Sequence, residues 1–76
     1  MLQFSPITIA GKTFTMRELS FDETIKVARI SENLNEKRIT AFLGYAIGNL
    51  QVAQHLTIQE RYYLLMQYLS TQQDEL

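Results

Sequence analysis

Hydrophobic and polar positions recur with two different periods along this chain. Near the N-terminus the period is two. Ile7-Thr8-Ile9-Ala10 and Thr13-Phe14-Thr15-Met16 are β-branched or aromatic runs on either side of a short turn containing Gly11 and Lys12. They predict a β-hairpin over about residues 6 to 17, with Ile7, Ile9, Phe14 and Met16 on an apolar face and the threonines and Arg17 on the other. Pro6 holds Ser5 extended and cannot donate to a ladder, which suits the start of an edge strand. A lone hairpin is marginal in water, so its apolar face must lie on something.

From Ser20 onward the period is that of a helix. Ser20-Phe21-Asp22-Glu23 has the serine and the glutamate three residues later that form a reciprocal capping box, and a first helix is expected over about residues 20 to 32. Its expected inner face is Phe21, Ile25 and Ala28. After Asn33 and Asn35, a second helix is expected over about 35 to 48, where Ile39, Phe42, Leu43, Ala46, Ile47 and Leu50 recur at three- and four-residue spacing. Thr57-Ile58-Gln59-Glu60 repeats the capping box and opens a third, over about 57 to 71, with Ile58, Tyr62, Leu65 and Leu69 as its inner face and a polar tail beyond it. The expected fold class is α+β: an N-terminal β-hairpin followed by a three-helix bundle, a single small domain spanning residues 1–76 with no internal repeat or linker.

Apolar residues remain after these faces are filled. Val27, Ile30 and Leu34 form a second stripe on the first helix, while Leu64 and Tyr68 flank the third helix beside Arg61, and Tyr63 lies with Met66 on the other flank. Either the chain's own elements cover these stripes, or one of them is an exposed patch for a partner or a second copy. Tyrosine and arginine are enriched where interfaces concentrate their binding energy. Val27, Ile30, Leu34, Arg61, Tyr63, Leu64 and Tyr68 are therefore the candidate protein-interface residues, with Arg61 as a polar rim, and a two-fold homodimer is the simplest way for a self-complementary patch to be covered. Gly44-x-x-x-Gly48 offers either a strip for close helix approach or a helix that loosens and ends.

Composition narrows the chemistry. Hydrophobic residues make up 46% of the 76 and charged residues 20%, the balance of a chain that folds. A formal net charge of -1 lacks the basic bias of phosphate-backbone binding, which argues against nucleic acid as the principal partner. Asn33 to Gly48 plus the following helix can mimic a helix-turn-helix, but Lys37 and Arg38 are a small basic footprint for such a regulator. There is no cysteine, and His55 is the only histidine, so no catalytic, cofactor-binding or metal-ligating set is expected and the chain reads as a non-enzyme. Neither a signal-peptide pattern nor a membrane-length apolar run is present, which predicts a cytoplasmic protein without a membrane partner.

Two segments carry a family resemblance. Ile7 through Glu23, with its Ile9-Ala10-Gly11-Lys12 turn and Arg17-Glu18-Leu19 leading into a helix, resembles the opening of small tail-assembly and baseplate-associated proteins of tailed bacteriophages. Leu56-Thr57-Ile58-Gln59-Glu60-Arg61-Tyr62-Tyr63-Leu64-Leu65-Met66-Gln67-Tyr68-Leu69 is similar to a helix of the same group. Together the segments cover under half of the chain. The resemblance implies a structural or chaperone-like role in tail or baseplate assembly through protein contacts, in the cytoplasm of an infected or lysogenic bacterium or on the virion, with no cofactor. It assigns no individual binding residue, and it leaves open that Leu76 bounds a fragment of a longer protein. A small phage-encoded inhibitor that docks on a host protein is the alternative of the same size and composition.

Overall fold

A computed structural model describes residues 4–9, 11–30 and 35–75. Strands β1 (Ile7–Ile9) and β2 (Lys12–Phe14) form a two-stranded antiparallel hairpin in which Ile7 faces Phe14, Thr8 faces Thr13 and Ile9 faces Lys12. Lys12 thus belongs to a strand rather than to the turn. The alternation holds: Phe14 and Met16 are buried, Ile7 and Ile9 pack on the core, and the Thr8 and Thr13 hydroxyls meet at 3.2 Å on the outer side.

Four helices follow among the described residues: α1 (Phe21–Ala28), α2 (Glu36–Ile47), α3 (Leu50–His55) and α4 (Ile58–Glu75). The α+β class stands, while the three-helix bundle is corrected to four. The extra helix arises where the sequence showed only a connector. Gly48 adopts φ 85°, a left-handed conformation open to glycine, and so stops α2 with its N–H on the Gly44 carbonyl. Asn49 then turns the chain back into helix, its Oδ1 accepting the Val52 N–H at 3.2 Å. Gly44 settles the small-residue strip as a contact within the chain: a Cβ there would stand 3.3 Å from Leu50 Cα and 2.9 Å from Leu50 Cδ1. Glycine lets the start of α3 close on α2.

Both capping boxes form. Ser20 Oγ accepts from Glu23 N at 3.2 Å while Glu23 Oε1 accepts from Ser20 N at 2.9 Å, and Thr57 and Glu60 repeat the exchange at 3.1 and 2.8 Å. Helix α1 closes at Ala28, with Ile30 N donating to Val27 O, so it is shorter than the expected 20–32, and residues 31–34 lie outside the described residues. Helix α4 runs through the expected polar tail to Glu75.

The core joins Phe14, Met16 and Leu19 from the hairpin and its exit to Val27, Ile39, Leu43, Ala46, Ala53, Leu56, Leu64, Leu65 and Tyr68. Six expected core residues lie outside it: Phe21, Ala28, Ile58, Tyr62 and Leu69 are exposed, and Ile25 is half-buried without joining the core. The cause in α1 is the entry of the chain. Leu19 is already buried and its N–H donates to the Tyr68 hydroxyl at 3.1 Å, which sets the rotation of the following helix so that Val27 points inward and Phe21, 79% exposed, points out.

Candidate interaction surface

Helix α4 carries two apolar stripes, and its polar side chains decide which one is buried. Arg61, Leu64 and Tyr68 share one side of the helix at spacings of three and four. Arg61 Nε donates to Ala53 O at 3.1 Å, beside the Leu56 N–H that also reaches that carbonyl, and Nη2 donates to Gln54 O at 2.8 Å, so the guanidinium covers two carbonyls in the last turn of α3. Its Nη1 meets Glu36 Oε1 at 3.1 Å, so one guanidinium ties α4 to α3 and to the first turn of α2. Two helical turns further, the Tyr68 ring stacks on Phe4 at 4.9 Å and meets Phe42 edge-on at 4.7 Å, while its hydroxyl takes the Leu19 N–H. These anchors turn Leu64 and Leu65 inward.

The consequence is a correction to the interface candidates. Val27, Leu64 and Tyr68 are buried in the core, and Arg61, only 14% exposed in its side chain, is an internal clamp rather than a polar rim. Ile30 and Tyr63 are exposed, and Leu34 lies outside the described residues. Ile30 borders an open groove with Ala41, Gly44 and Leu50, apart from Tyr63 on α4.

What the rotation leaves outside is three of the four residues assigned to the core from their spacing, Ile58, Tyr62 and Leu69, while the fourth, Leu65, is buried as expected. Ile58, Tyr62, Met66 and Leu69, with Tyr63 beside them, are 41% to 61% exposed. From Ile58 to Thr71 the exposed residues of α4 are these five together with Gln59 and Ser70, and none is charged. The two ionisable groups other than tyrosine in that stretch, Glu60 and Arg61, are drawn inward to the capping box and the clamp. A helix face that borders water ordinarily carries lysine and glutamate.

The remaining polar groups are occupied with structure. An open cleft of about 690 Å³ between β2 and α3 has Lys12, Asn49, His55 and Glu60 on its walls. His55 Nδ1 lies 2.7 Å from the Gln51 carbonyl, to which it donates, and Glu60 is held by Thr57. Glu23 accepts two bonds from Arg17, Nη1 at 2.8 Å and Nη2 at 2.5 Å, besides the one from Ser20 N. This holds its carboxyl at a pKa of about 2, first through the Arg17 hydrogen bonds and then through the backbone of Ser20. Among the described residues, every buried side-chain nitrogen or oxygen has a partner, no three His, Cys, Asp or Glu side chains gather as a metal would require, and no helix is long and apolar enough to cross a membrane. Helix α3, which follows the Gly48 turn, has six residues and no Lys or Arg, a poor recognition helix for duplex DNA.

No family model, no curated protein and no solved structure matches the chain.

Proposed function

We infer that this chain is a non-enzymatic assembly protein that works through protein contacts made by the outward face of α4. The observation that carries the reading is the run of exposed, uncharged, large side chains from Ile58 to Leu69, a stretch of helix whose two charged groups, Glu60 and Arg61, are held by the capping box and the clamp. The resemblance of residues 7–23 and 56–69 to tail-assembly and baseplate-associated proteins gives the setting: a structural or chaperone-like factor of a phage tail or baseplate. The second of those segments is the one that presents the contact face. Solvated or structurally committed polar groups in the β2–α3 cleft favour no catalytic role.

The test is morphological. Deletion of the gene from its phage should yield particles without complete tails or baseplates by electron microscopy. The wild-type gene supplied in trans should restore them, and one encoding Met66→Glu should not. Complete particles from the deletion would overturn the assembly reading and favour the inhibitor of a host protein; rescue by Met66→Glu would remove α4 as the working face.

A further inference from the structure

The exposed stripe of α4 is almost symmetric about its own middle. Ile58, Tyr62, Met66 and Leu69 follow at spacings of four, four and three, inside an arc of roughly 80° on the helix surface. The outer pair, Ile58 and Leu69, and the inner pair, Tyr62 and Met66, are both centred next to residues Tyr63 and Leu64. A second α4 laid antiparallel across that centre brings Ile58 onto Leu69 and Tyr62 onto Met66, and two-fold symmetry repeats each contact. A thioether beside an aromatic ring is itself a favourable contact.

Charge points the same way. The exposed residues from Ile58 to Thr71 carry none, so placing the face on itself sets no like charges together, and antiparallel helix dipoles attract. A partner recognised through charge finds nothing there to read. Five large side chains, each about half exposed, supply on the order of 500 Å² per copy. Gln59 and Ser70 at the margin extend this toward the roughly 600 to 800 Å² per partner of small specific interfaces.

The geometry points to a second copy of this chain as the occupant of α4's outward face, in an antiparallel two-fold dimer whose axis passes beside the Tyr62–Met66 turn. This rests on the reading of α4 as the contact surface and names its partner. An interface of this area dissociates on dilution.

Sedimentation of the full chain from about 1 µM to about 500 µM tests it. The expected mass rises from one chain to two. Tyr62→Glu and Met66→Glu should each keep the wild-type circular dichroism and raise the dissociation constant at least about tenfold. The chain has no cysteine, so Gln59→Cys and Ser70→Cys each introduce one thiol. Mixed and treated with a short thiol crosslinker, they should give the 59–70 product over 59–59 and 70–70, since residues 59 and 70 occupy one flank on opposite sides of the axis. This arm also decides the case should a glutamate variant unfold. A monomer throughout the range overturns the second copy as partner while the particle-morphology result for assembly still stands by itself. A dimer indifferent to both glutamates, or one that crosslinks mainly like to like, overturns the proposed interface.

Discussion

Tyr68 does at the scale of one residue what the whole of α4 depends on. It is 2% exposed, its ring contacts Phe4 and Phe42, and its hydroxyl is the partner of the Leu19 N–H, 49 positions away in the chain. Tyr68→Phe keeps the ring and strands that N–H, so it should cost about 1 to 3 kcal/mol by chemical denaturation, against about 3 to 5 for Tyr68→Ala. An unchanged Tyr68→Phe would show that water replaces the hydroxyl. Glu23 is the other residue with a consequence of its own. Its folded-state pKa of about 2 lies below the ordinary 4.5, so the ionised carboxylate stabilises the fold. That contribution is complete above about pH 4.5, declines as pH falls, and is gone below about pH 2. Glu23→Gln should accordingly be less stable than wild type at neutral pH, and urea titrations across the acid range should show the difference shrinking through that window.

At the scale of elements, the rotation of α4 and the break between α2 and α3 were decided by groups that periodicity does not weigh. Arg61 holds the C-terminal carbonyls of α3, and these bonds outweigh its pair with Glu36, whose side chain is 59% exposed and well screened. Arg61→Ala should cost roughly 1.5 to 3 kcal/mol and Arg61→Lys should recover little, because an ammonium cannot span Ala53 O and Gln54 O as a planar fork does. The rotation itself is checked by contrast: Leu64→Ala should cost about 2 to 5 kcal/mol, and Met66→Ala within about 0.5. Equal costs would mean that the helix buries the other stripe. Gly48→Ala, forced to φ 85°, should cost about 1 to 2 kcal/mol, read from the shift in thermal midpoint.

The whole molecule is compact, with a radius of gyration of 11.8 Å against about 11 Å expected for a folded chain of this length. The exposed stripe of α4 is thus not the product of a splayed fold; a domain of this size has too little of its own surface to cover every apolar face. Two copies that cover one another's stripe stabilise the folded state by mass action. The thermal midpoint of the wild type should rise with protein concentration, and that of Met66→Glu should not. A wild-type midpoint independent of concentration up to the highest soluble concentration would count against self-association.

Local chemistry was legible in the sequence, and long-range choice was not. The hairpin face with Phe14 and Met16, the Ser20–Glu23 and Thr57–Glu60 capping boxes and the buried positions Ile39, Leu43 and Ala46 could be read because each depends on residues a few positions apart. Helix α3 was missed because Asn49 signals a cap only once Gly48 has taken a left-handed turn. In α4 the spacing offered an apolar stripe, Ile58-Tyr62-Leu65-Leu69, and a flanking pair, Leu64 and Tyr68 beside Arg61, and hydrophobicity favoured the first. The tertiary structure chose the second, because Arg61 finds carbonyls on α3 and Tyr68 finds a backbone N–H beside α1, and burying either side chain without those partners costs more than exposing Ile58, Tyr62 and Leu69. The candidate surface follows from that choice: it is the apolar stripe that hydrogen bonding left outside.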